Sequence, residues 1–214
     1  MPHDHDDFVM EPVRGLPEAL PEGEHILWQG QPAWWPLLTE SLSFWWVAGY
    51  FAFLFAWRTV AGAATETWAD AATAASFFLV LGLIVCALLL VVAVMQAKST
   101  VYTITNRRVA MRIGAALTMT LNLPFRKIAN ASLGLRKDGH GSIALDLMED
   151  DGARLSYIMT WPHVRPWKMK HTQPALRCIP DARKVAAILS EAAETAVSEP
   201  VIERVPAARP VAAE

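Results

Sequence analysis

Residues 71–96 read AATAASFFLVLGLIVCALLLVVAVMQ, and residues 101–113 read VYTITNRRVAMRI. The first stretch runs 26 residues without a charge. That is enough to cross about 30 Å of hydrocarbon at about 1.5 Å per residue. The second stretch alternates apolar and polar side chains, the period of a strand with one buried face. The change of period falls at Lys98–Thr100. It divides the chain into an apolar helical part and a strand-rich domain.

Upstream lies another apolar run, residues 36–57, containing SFWWVAGYFAFLFAW. Glu40 stands near its start and Arg58 just beyond its end. Trp34 and Trp35 on one side, with Trp57 and Trp68 on the other, give the aromatic belt expected at two membrane interfaces. Residues 58–70 connect this run to the next, so spans at about 36–57 and 72–96 predict a transmembrane hairpin. Ala48, Ala52 and Ala56 make a small-residue stripe on one span, and Ala75, Gly82, Cys86 and Ala93 a stripe on the other. Such stripes allow close approach, so these faces are expected to meet, within one hairpin or across a homodimer.

Lys98, Arg107, Arg108 and Arg112 follow the second span, whereas the connection between spans carries Glu66 and Asp70. The positive-inside rule then puts both termini in the cytoplasm of a multi-pass inner-membrane protein. The N-terminal stretch has no basic n-region, which excludes a cleaved signal peptide. Cys86 and Cys178 offer no disulfide framework.

Downstream, alternation continues through residues 117–123, IANASLGLR (128–136), SIALDLM (142–148) and ARLSYIMTW (153–161). Asp138-Gly139 and Asp150-Asp151-Gly152 punctuate them as hairpin turns. Six short strands predict a small antiparallel β-barrel or sandwich. A Pro-rich linker, residues 162–180, leads to a helix whose apolar face is Val185, Ile188, Leu189 and Ala192, with Asp181 as its cap. The fold class is therefore a membrane-anchored α+β protein. Its segments are an acidic N-terminal piece (1–33), the hairpin (34–97), a cytoplasmic domain (98–196) and a disordered tail (197–214). His3 and His5 among carboxylates belong to a solvated terminus rather than a metal site. Residues 26–28 form an apolar patch before the turn Gln29–Pro32, expected to dock on the chain's own domain.

VYTITNRRVAMRIG (101–114) and GEHILWQGQP (23–32) resemble the first hairpin and the pre-membrane motif of bacterial pleckstrin-homology-like (PH-like) domains of membrane proteins. More narrowly, residues 8–30 and 161–189 resemble the photosynthetic-complex assembly proteins of purple bacteria, in the same order around two spans. That resemblance implies a place in the intracytoplasmic membrane. It also implies a role in joining the reaction centre to its light-harvesting complex, through partners that include the H subunit. Chlorophyll-type rings usually take a histidine ligand, and none lies between His25 and His140. No cofactor or metal is therefore expected.

Nucleophile elbows, HExxH, phosphate-cradling glycine loops and CxxC are all missing from the sequence, so no enzyme is expected. The basic side chains between residues 98 and 184 outnumber the acids fifteen to six. For a tethered domain that favours membrane lipids over nucleic acid, with Lys98, Arg107, Arg108 and Arg112 as the lipid-facing set. WPHVRPWKMKH (161–171) has the composition of an interface anchor, and Trp161, His163, Arg165, Trp167, Lys168 and Lys170 are the expected partner-binding residues. A non-enzymatic assembly scaffold is the leading function. The alternative is a general lipid- or peptide-binding membrane protein of the PH-like class.

Overall fold

The computed structural model describes residues 13–114, 118–148 and 155–198. In it the alternating stretches become two antiparallel sheets. One has the order β1 (Ile26–Gly30), β2 (Val101–Thr105), β3 (Arg108–Ile113), β4 (Met119–Pro124). The other has the order β5 (Ile128–Leu135), β6 (Gly141–Leu147), β7 (Ala175–Ile179). No ladder joins the sheets among the described residues, so the expected barrel is not closed. A single core serves both instead. Tyr102, Ile104, Val109, Met111, Ile143, Leu145 and Leu176 meet Val185, Leu189 and Ala192 of the last helix, Ala182–Ser198. Strict alternation of buried and half-buried residues along β6 shows why that strand was legible.

Two elements depart from the sequence expectation. Residues 155–161 hold a helical turn, Tyr157–Thr160, where a sixth strand was predicted. The sixth strand after the hairpin is β7, inside the stretch read as a proline linker. Pro174 and Pro180 hide it, yet neither breaks the ladder. Pro174 precedes the strand and its carbonyl accepts from the Leu145 amide at 2.8 Å, a position where a missing N–H costs nothing. The expected turn at 150–152, the His3/His5 terminus and the tail beyond residue 198 lie outside the described residues.

β1 precedes the apolar helices and β2 follows them, yet the two pair, with Trp28 opposite Ile104 and Gly30 opposite Tyr102. The motifs 23–32 and 101–114 therefore dock on each other. The Asn106 side chain accepts from the His25 amide (3.1 Å) and donates to the Gly23 carbonyl (3.0 Å). Glu24, its carboxylate almost fully enclosed, pairs with Arg108 at 2.8 Å and accepts from Thr105 at 2.8 Å.

Between these strands the chain forms α1 (Trp34–Ser41), α2 (Phe44–Gly62) and α3 (Trp68–Ser99). Among the described residues α3 alone is long and apolar enough to cross a bilayer. α1 and α2 reach that mark only as a pair bent by 55°. The expected continuous span at 36–57 is thus broken at Ser43, whose φ of 54° is left-handed. Thr67 caps α3, its hydroxyl accepting from the Asp70 amide at 3.3 Å.

Packing between α2 and α3 corrects the stripe expectation. Ala75, Gly82 and Ala93 are buried and Cys86 is half-buried, as a contact face requires. On α2, however, Ala52 and Ala56 face outward and Ala48 is only half-covered. Phe51 takes their place, its Cβ standing 2.7 Å from where a Cβ on Gly82 would lie. A large side chain enters the groove of the small stripe, so the two stripes do not meet within the hairpin.

Candidate functional site

The anchor-like segment leaves the helical turn at Thr160 and returns to the sheet at β7. Its base is sealed. His163 is 1% exposed, with both ring nitrogens engaged. The Tyr102 hydroxyl accepts from the Arg177 amide at 3.2 Å and shares a hydrogen bond with His163 Nδ1 at 2.6 Å. Nε2 on the other side of the ring bonds the Thr100 hydroxyl at 3.1 Å. Burial, helped by the charge of Arg177, pushes the His163 pKa down to about 3 and keeps the ring neutral. Burial likewise raises the Tyr102 hydroxyl well above the ordinary phenol range.

Thr100 is the residue where α3 ends, so this network fastens the base of the segment to the exit of the apolar helix. His163 is therefore a positioning residue in the core and does not face a partner, contrary to expectation. The residue itself was visible in the sequence as part of the anchor-like segment. The buried partners were not, because Thr100 and Tyr102 lie some sixty residues away.

Above the base the chain projects as a loop. Val164 bridges Pro174, and the Arg165 amide donates to the Gln173 carbonyl at 2.9 Å. At its tip Trp167 is 88% exposed and holds a left-handed φ of 65°. Lys168, Met169, Lys170 and His171 are exposed around it, as is Arg165. Trp161 is partly bare, and Ile158 and Met159 on the preceding helical turn are more so. Five of the six expected partner-binding residues thus lie on an open surface. Sequence reading missed Ile158 and Met159 because the stretch was taken as a strand.

The expected lipid-facing basic set divides. Lys98 is exposed at the end of α3, and Arg112 stands opposite Val101, the first residue after the helix exit. Arg107 and Arg108 occupy the far end of β2, about 15 Å along the strand. There Arg108 is committed to Glu24, while Arg107 is exposed.

One contact set that the sequence did not reveal ties α1 to the domain. Leu37 packs with Ala97 of α3 and Cys178 of β7, and the Ala33 amide donates to the Cys178 carbonyl at 2.8 Å. Glu40 reaches Arg136 at 2.6 Å and Arg177 at 3.9 Å. Its carboxylate also accepts from the Cys178 thiol at 3.5 Å. Burial first, then the Glu40 charge, pushes that thiol up to about 12, so it stays protonated.

A two-sheet α+β domain closed by a C-terminal helix, with an apolar helix pair inserted between its first two strands, is a PH-like protein. The chain belongs to the bacterial PH domain family, which it matches over residues 50–193. It is also 46% identical over 207 residues to a Rhodobacter capsulatus protein named "uncharacterized 23.7 kDa protein in puhA 5′ region", spanning 96% of this chain and 95% of that one. No solved structure matches the chain.

Proposed function

We propose that the chain is a non-enzymatic, PuhB-like assembly factor for the photosynthetic reaction centre and light-harvesting complex. It acts from a transmembrane hairpin in the inner membrane. α3 supports the hairpin: only 11% of its most apolar window is buried, unlike the core helix of a soluble protein. Trp46, Phe53, Phe77, Leu83 and Leu88 also stand bare on α2 and α3, an apolar surface that water does not tolerate but lipid does. Pairing of β1 with β2 returns the chain to one folded domain on either side of the helices, which favours an even number of crossings. The base-rich flank after α3 favours the cytoplasm for that domain.

The observation that carries the assembly role is Trp167, nearly bare on a loop whose root is fastened to the helix exit. Rigid aromatic anchors of this kind dominate interfaces, and confinement to the membrane plane raises the effective concentration of a membrane-bound partner. The 46% identical relative named for the puhA 5′ region, with the resemblance of residues 8–30 and 161–189 to assembly proteins, supports looking for that partner among nascent reaction-centre subunits, the H subunit first.

The experiment is Trp167→Ala in the native host. Loss of about 2 kcal/mol of partner binding lowers occupancy roughly thirtyfold when the partner is limiting, so assembled complex falls while this protein accumulates normally. Normal assembly with the variant at normal level overturns the reading. A general lipid- or peptide-binding role within the family is supported by the family match alone. It differs in expecting a defect in cells grown without photosynthesis as well.

A further inference from the structure

Between β5, β6, β7 and α1 lies a cavity of ≈ 380 Å³ into which three arginines converge, Arg136, Arg165 and Arg177, with Ser132, Ser142 and the single carboxylate of Glu40. We propose that this cavity binds a phosphate group at the height of the membrane surface.

The charge balance is the first ground. Glu40 engages Arg136 (2.6 Å) and Arg177 (3.9 Å), and Asp138 touches Arg136 from outside at 3.4 Å. Among the described residues the Arg165 guanidinium donates only to the neutral side-chain amide oxygen of Gln173, at 3.3 Å. Three guanidiniums therefore face one lining carboxylate, and planar guanidiniums match the oxygens of a phosphate two at a time.

The second ground is Arg177 itself. The residue is 7% exposed; its Nη1 donates to the Val164 carbonyl at 2.9 Å, and its Nε–H, buried, has no partner. Its Nη2 stands 3.9 Å from the Glu40 carboxylate, beyond hydrogen-bond reach, so this largely buried guanidinium has donor capacity left for an anion in the cavity it lines.

Height is the third. Leu37 packs on Ala97, and Leu38 and Leu42 on Ala93, so Glu40 lies level with the last turn of α3. Headgroups stand at that level if α3 spans the bilayer, a point that rests on the membrane reading above. A phospholipid headgroup and free phosphate share the recognised chemistry.

Full-length protein is extracted in mild detergent and reconstituted into nanodiscs of phosphatidylcholine with and without phosphatidylglycerol. Native mass spectrometry then counts the phospholipid retained. The wild type is expected to keep phosphatidylglycerol about tenfold over phosphatidylcholine, and Arg165→Gln to lose that preference. Because Arg165 is exposed, its replacement leaves the fold intact. Glu40→Gln, which removes the competing carboxylate, is expected to strengthen retention. In the second arm, inorganic phosphate is compared with chloride at equal ionic strength. An Arg165-dependent rise in unfolding temperature with phosphate, without lipid preference, assigns the site to a soluble anion. Neither effect depending on Arg165 overturns the proposal. Carbonate extraction of membranes, run in parallel, reports failure of the membrane reading separately.

Discussion

His163 and Trp167 belong to one tryptophan-bearing basic segment, four residues apart, and their fates are opposite. His163 is locked between the helix exit and the sheet, and Trp167 stands almost bare in solvent. Composition treats the segment as one surface. The fold treats it as a root and a tip, with the Val164–Pro174 bridge as the boundary. Stability should therefore depend on the root and partner binding on the tip.

The largest effect tests the root. His163→Ala leaves the Tyr102 hydroxyl and the Thr100 hydroxyl without their buried partner and opens a void, which should cost about 3 kcal/mol. Chemical denaturation of the protein in detergent measures it. Trp167→Ala, by contrast, should fall within about 0.5 kcal/mol of wild type. Equal destabilisation by both would erase the boundary between root and tip.

Acidification probes the same contrast without removing a side chain. His163 binds its proton near pH 3 when folded but near its ordinary 6.5 when unfolded. Between those values the unfolded state holds the extra proton, so stability is complete above about pH 6.5. It then falls by up to about 1.4 kcal/mol for each unit down to the folded value. Unfolding midpoints measured from pH 7 to pH 4 should show this slope, and His163→Gln should flatten it. The exposed tip residue His171 should leave the slope unchanged on substitution. If His171→Gln removes it, the sensor has been misplaced.

The sequence made the root and tip unequal to read. Short-range signals were legible. Residues 128–136 and 142–148 alternate and flank Asp138-Gly139, and the structure has β5 and β6 joined there, with Gly139 at φ 83°. The apolar face of the last helix, Val185, Leu189 and Ala192, is likewise buried. What stayed hidden depends on contacts between distant positions. β7 is five buried residues between prolines, including an arginine whose partners, Val164 and Glu40, come from elsewhere. Glu40 stood near the start of an apolar run, and nothing local shows that Arg136 awaits it ninety-six residues on. His163 looked like one basic side chain among several because its pocket is built by Thr100 and Tyr102.

The helix pair offers the same lesson with a smaller effect. α3 presents its small residues inward, but α2 presents Phe51 inward and its alanine stripe outward. Gly82→Ala would put a methyl carbon 2.7 Å from the Phe51 Cβ, so the helices must separate or Phe51 must turn. A cost of about 1 kcal/mol is expected, at the low end for overpacking because only one carbon is added. Tryptophan fluorescence during denaturant unfolding in detergent reads it out, since Trp45, Trp46, Trp57 and Trp68 all ride on these helices. Ala52→Leu, at the neighbour of Phe51, should change the midpoint by less than about 0.5 kcal/mol because its side chain faces outward. The substitution has a second use. A stripe of alanines pointing away from the hairpin is free to meet another copy, and close approach there would not tolerate leucine. If Ala52→Leu leaves the midpoint unchanged but reduces self-association in detergent, the outward stripe is a contact between hairpins. If it lowers the midpoint as far as Gly82→Ala does at every protein concentration, the outward placement of Ala52 is wrong and the two stripes meet after all.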